Sequence, residues 1–118
     1  SKELLGEKNL VVSFFATWCV PCAKEIPELI KMSKEFGDDF QFILVDVNEK
    51  RDLVKKHVDE KGITLQVILD KYGKVFESFS GVTLPLLVVI DKKGKITYHH
   101  TGYVKGDEKK LKKHLKTL

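Results

Sequence analysis

Cys19 and Cys22 are the only cysteines of the chain, and they stand at a seam. Leu10 to Ala16 before them is apolar except for Ser13, and a helical pattern follows them. A short continuous apolar run reads as a buried strand, parallel or central in a sheet. The pair therefore belongs to a strand-to-helix turn. With a helix starting near Cys19, unpaired backbone N–H groups and the positive end of the helix dipole point at that sulfur and favour thiolate over thiol. Free cysteine titrates near about 8.5, and helix N-termini and Cys-x-x-Cys motifs lower this to roughly 3.5–7.5. Thiolate is the nucleophile of disulfide exchange. Cys19, at the exposed tip, is assigned as the attacking thiol, and Cys22, one turn deeper, as the resolving thiol. Pro21 suits a first helical turn and stiffens the loop between the sulfurs. Trp18 is expected to flank the sulfur with a flat apolar surface. A purely structural disulfide explains the pair poorly, because so small a loop removes little unfolded-state entropy.

A Cys-x-x-Cys also occurs as half of a zinc site, which needs two further ligands. The histidines are His57, His99, His100 and His114. Only His99 and His100 stand close together, and on a strand they point to opposite faces. A dithiol/disulfide redox centre is the preferred reading, with no metal and no bound cofactor, and a metal site is the alternative. His57 reads as a half-buried structural residue, and His99 and His100 as an exposed strand pair.

The 118 residues suit one compact domain, read as residues 1–118. At 42% apolar, the chain has enough for a core and too much for disorder. No apolar run approaches the roughly 18–20 residues that span a bilayer, and no basic-then-apolar leader opens the chain. Ser1 to Asn9 is short and polar. The chain is expected to be the soluble part of a precursor whose leader or anchor was removed. The net charge of +4 comes from lysines interleaved with acids, which reads as a solvated surface and not as a nucleic-acid footprint.

Lys2 to Leu5 is expected to form one helical turn ended by Gly6. After the cysteines a helix is expected to run to about Phe36, with Ile26, Leu29, Ile30, Ser33 and Phe36 on its inner face, Pro27 kinking it and Gly37 as C-cap. Phe40 to Val47 reads as a second buried strand, which makes a βαβ unit with a parallel pair. Asn48 is expected to cap a helix through Lys61, with Leu53, Val54, His57 and Val58 facing inward and Gly62 ending it. Leu65 to Leu69 reads as a short strand, and Asp70 to Phe79 as a short helix that packs Val75, Phe76 and Phe79 inward. Leu86 to Ile90, the turn Asp91-Lys92-Lys93-Gly94 and Lys95 to Thr101 form a hairpin with an edge strand. Asp107 and Glu108 start a final helix with a stripe of Leu111, Leu115 and Leu118. The fold class is α/β with a mixed sheet.

The stretch Phe15-Ala16-Thr17-Trp18-Cys19-Val20-Pro21-Cys22, with Lys24-Glu25-Ile26-Pro27 after it, resembles the active site of the thioredoxin superfamily, in particular its TlpA/ResA-type branch of bacterial extracytoplasmic thiol–disulfide oxidoreductases. Leu84-Pro85 before an apolar strand, and Asp91-Lys92-Lys93-Gly94-Lys95 leading to Thr101-Gly102, match the second half. The resemblance implies a thioredoxin fold: a central mixed sheet flanked by helices, with a helix–strand insertion between Asn48 and Leu69. It implies that Pro85 is a cis-proline across from the cysteines. Thr83 and Leu84 would then offer backbone groups to an extended substrate segment, beside Trp18 and Pro21. It implies that Glu25 influences the acidity of the cysteines and takes up the proton of Cys22. The partners implied are disulfide-containing proteins and an upstream thiol donor, met by a monomer in a periplasmic or other extracytoplasmic space, with cytochrome c maturation a common task. Ser13 departs from the buried aspartate of thioredoxin proper, so Glu25 or water must serve as base. Val20-Pro21 also departs from thioredoxin's Gly-Pro. The functional alternative is a copper-binding or copper-delivery module of the same fold.

Overall fold

The computed structural model describes residues 8–118, so the turn expected over Lys2 to Gly6 lies outside the described residues. The elements run β1 (Asn9–Phe15), α1 (Val20–Phe36), β2 (Phe40–Val47), α2 (Arg51–Lys61), β3 (Gln66–Asp70), α3 (Lys74–Ser78), β4 (Leu86–Ile90), β5 (Ile96–Thr101) and α4 (Asp107–Leu115). They build one five-stranded sheet in the order β3-β2-β1-β4-β5. β1 pairs parallel with β2 and β2 with β3, whereas β4 runs antiparallel to both β1 and β5. The sheet is therefore mixed, with β3 at the edge beside β2; α2 and β3 separate β1–β2 from β4–β5 in chain order only.

β1 is central, flanked by β2 and β4, and every one of its residues is buried. That is why its sequence is apolar except at Asn9 and Ser13. The pleat still divides it. Val11 and Phe15 join Phe42, Leu44, Leu87 and Val89 beneath α1 and α4, which contribute Ile26, Leu29, Met32, Leu111 and Leu115. Leu10, Val12 and Phe14 join Ile43, Val45, Leu86 and Val88 on the opposite face, where Phe76 and Phe79 pack. The Phe14 ring lies 5.6 Å from that of Phe76 and 5.7 Å from that of Phe79.

Several local expectations need correction. Asn9 opens β1 instead of closing a polar lead: it is buried, and its side-chain oxygen accepts the Lys92 N–H at 3.0 Å. The buried stripe of α1 is Cys22, Glu25, Ile26, Leu29 and Met32, rotated from the expected face towards Glu25. The helix runs on through Pro27 and ends at Gly37, which is right-handed; a Cβ there would stand 2.7 Å from the Ser33 carbonyl oxygen. Glycine is thus set by close approach and not by a left-handed turn. Asn48 caps nothing. It takes a positive φ of 56°, a conformation asparagine tolerates, and the N-cap of α2 is Lys50. Leu53, Val75 and Leu118 are exposed, not inward. Gly62 does end α2 in the left-handed conformation, at φ 63°.

Candidate active site

The chain leaves β1 through Ala16, whose carbonyl accepts the Cys19 N–H at 3.2 Å. Cys19 is the N-cap of α1, extended at φ −85° and ψ 107°, and its sulfur accepts the Cys22 N–H at 3.2 Å. Val20 and Pro21 fill the first turn, where a missing N–H costs nothing. Cys19 and Cys22 form a disulfide, with Cα atoms 5.3 Å apart. The donor aimed at the Cys19 sulfur is one of the orphan N–H groups of a helix start, and on reduction it favours the thiolate. Cys19 is less open than expected: it is 4% exposed against 1% for Cys22, because both belong to the core beneath α1. What stands out in solvent is the flank, Trp18 at 71% and Val20 at 65%.

Leu84–Pro85 is cis, the form that the resemblance implies. Phe14 pairs with Leu86 across β1 and β4, so Pro85 lies at the same end of the sheet as the cysteine turn. Pro85 is buried and its carbonyl accepts the Gly102 N–H at 2.8 Å. Leu84 is half-buried and packs against both cores, and Thr83 is exposed.

Glu25 is buried, and its carboxylate accepts the Ser13 hydroxyl at 2.9 Å. Burial raises its pKa to about 7; the Ser13 bond opposes this, and the charges of Asp107 and Glu108 add to it. A cavity of about 10 Å³ between Glu25, Tyr98, His100, Tyr103 and the start of α4 is about the size of one water molecule. The surrounding acids have their own partners. Asp107 accepts His100 Nε2 and the Val104 N–H, and Glu108 accepts the Tyr103 hydroxyl and the Gly106 N–H.

The sequence reading missed a second acidic group at this end of the sheet. Glu49 accepts both the N–H of Thr17, at 2.7 Å, and its hydroxyl, at 2.6 Å, and touches the fully buried Asp46. The available signal was Asp46 itself, the one charge in the apolar run of β2. Elsewhere, His57 is half-buried, its ring 6.4 Å from that of Phe15. His99 Nε2 pairs with the Phe79 carbonyl on one face of the sheet, and His100 pairs with Asp107 on the other. His114 Nε2 pairs with Thr97 Oγ1 at 2.9 Å.

Residues 1–115 match the family model described as Redoxin. The chain is 33% identical over 122 residues to the thiol-disulfide oxidoreductase ResA of Bacillus thuringiensis subsp. konkukian, covering 99% of this chain and 66% of the relative. It is 31% identical over 102 residues to ResA of Halalkalibacterium halodurans, covering 86% and 57%. The chain thus spans 57% to 66% of the length of these curated relatives. Among solved structures, the pneumococcal exposed lipoprotein thioredoxin of Streptococcus pneumoniae superposes with a TM-score of 0.84 at 26% identity, covering 96% of this chain and 87% of that one.

Proposed function

The chain belongs to the Redoxin family, and from that premise we propose that it is a thiol–disulfide oxidoreductase that reduces disulfides of partner proteins in an extracytoplasmic space. The observation that carries the proposal is the Cys19–Cys22 disulfide at the head of α1, with the Cys22 N–H aimed at the Cys19 sulfur. In the reduced protein the Cys19 thiolate attacks a partner disulfide, forms a mixed disulfide and releases one partner thiolate. Cys22 then gives up its proton and attacks the Cys19 sulfur, which releases the second partner thiolate. Two electrons pass to the partner and the disulfide of this chain closes; a dithiol donor protein reopens it. Glu25 takes the Cys22 proton: it is buried on the core-facing stripe of α1, one turn from Cys22, and its pKa near neutrality suits a group that must both accept and return a proton. The paired Ser13 and Glu25 stand in for the single buried acid of thioredoxin proper. Thr83, Leu84 and the cis-Pro85, with Trp18 and Pro21, receive the extended partner segment. The unit acts as one domain and as a monomer. The extracytoplasmic assignment is supported by the likeness to an exposed lipoprotein thioredoxin, and cytochrome c maturation is one task that such a reductant serves.

Insulin reduction by dithiothreitol tests this. The wild type is expected to accelerate it and Cys19→Ser to abolish the acceleration. No rate above background in the wild type, together with tight Cu(I) binding, would replace the proposal with the metal-delivery reading.

A further inference from the structure

Asp46 lies near the C-terminal end of β2. Phe42 and Leu44 of the same strand belong to the core beneath α1, so the alternation of the pleat puts Asp46 on that face too. It pairs in register with Phe15 of β1 and with Leu69 of β3. It is wholly buried, and neither of its oxygens receives a donor from the described residues. A buried, ionised and unpartnered carboxylate is too costly for a fold to keep. Its neighbour is the Glu49 carboxyl, whose proximity and charge act on it. One proton resolves the conflict. A neutral Asp46 donates its O–H to Glu49, which remains charged and still accepts the two Thr17 donors. That makes three bonds to a carboxylate with about four acceptor sites. Among the described residues, His57 of α2 also acts on the pair and favours ionised Glu49.

We propose that Asp46 and Glu49 act as a pair sharing one proton, and that the charged Glu49 held by it positions the Cys19 turn through its two-pronged grip on Thr17. Both are positioning residues, since neither touches the reacting sulfurs. Burial, and then the contact and charge of Glu49, raise the Asp46 pKa to about 8. Above that pH the buried Asp46 carboxylate faces the half-buried Glu49 carboxylate. Turning Glu49 towards solvent relieves the repulsion and releases Thr17. The proposal rests on Cys19–Cys22 as the reacting pair, so its test reads the grip separately from the chemistry.

The test follows the Thr17 amide of oxidised, ¹⁵N-labelled protein by NMR from about pH 6 to about pH 9.5. A Thr17 transition with a midpoint near 8 is expected in the wild type. It should be absent in Asp46→Asn, whose side-chain amide keeps a donor towards Glu49. Reduction of the disulfide by dithiothreitol is followed in parallel through the fluorescence of Trp18. Dividing the wild-type rate by the variant rate at each pH removes the ionisation of the reagent, and this ratio should fall several-fold as pH rises through the transition. A wild-type Thr17 amide without the transition, or the same transition in both proteins, overturns the shared proton. A flat rate ratio beside an intact transition overturns the positioning role and leaves the thiol–disulfide reading standing. Should Asp46→Asn fail to fold, the wild-type titration alone decides, and a missing transition overturns the pair.

Discussion

Ser13 and Glu25 come from different elements and meet beneath the helix that carries the cysteines. The serine hydroxyl donates to the carboxylate and so favours its charged form, against burial and the acids at the start of α4. Removing it in Ser13→Ala should raise the Glu25 pKa further, by about one unit if a hydrogen bond to a charged group contributes roughly 1.5 kcal/mol. The carboxyl ¹³C shift of Glu25, titrated by NMR, measures this. Glu25→Gln removes a buried negative charge near the thiols and should lower the thiolate titration followed by ultraviolet absorbance; an unchanged curve would leave Glu25 outside the chemistry. Cys22→Ser should accumulate mixed disulfides through Cys19, read by mass spectrometry of trapped complexes. Trapping through Cys22 in the reciprocal variant would reverse the assigned roles.

The same distinction between local and distant causes runs through the elements. β1, β2 and β4 are legible in sequence because strands buried on both faces need mostly apolar runs, as Leu10 to Phe15, interrupted only at Ser13, and Leu86 to Val89 supply. The cysteine turn is legible because motif and helix start are adjacent. The grip of Glu49 on Thr17 is not, since it joins residues 32 apart through a loop whose path depends on the left-handed Asn48. Leu53 and Val75 sit on short helices, and no periodicity says how far the core extends over them. The sequence marks Asp70 only as a helix start, yet its buried carboxylate accepts the N–H groups of Val75 and Phe76 at 3.2 and 2.8 Å. Asp70→Ala should cost about 1–2 kcal/mol, measured by urea unfolding. A Cβ at Gly81 would overlap the ring of Phe76, so Gly81→Ala should cost about 1–3 kcal/mol by pushing that ring off Phe14.

For the whole molecule, the buried acids give stability a definite pH dependence. Glu25 and Asp46 bind protons more tightly folded than unfolded: their pKa values rise from 4.5 to about 7 and from 3.8 to about 8. Their contribution is full below the unfolded values and is lost as pH rises through the folded ones. Glu49, Asp107 and Glu108 have lowered values and lose theirs on acidification. Calorimetry of the oxidised protein should therefore give a higher Tm near about pH 5 than near about pH 8. Asp46→Asn should flatten the decline. The short span of the Cys19–Cys22 bridge has a different consequence. Folding and reduction form a closed thermodynamic cycle, so whatever stabilises one redox form of the fold over the other appears in full in the midpoint potential, at 30 mV for about 1.4 kcal/mol. A bridge over three residues barely constrains the unfolded chain, so the two redox forms differ in stability through the folded site, where the Cys22 N–H faces the Cys19 sulfur, and the rest of the core lends both forms the same stability. Leu111→Ala should lower that stability by roughly 2–5 kcal/mol and leave the potential where it was. Evolution can then tune the voltage of this centre and the durability of its scaffold as two separate quantities.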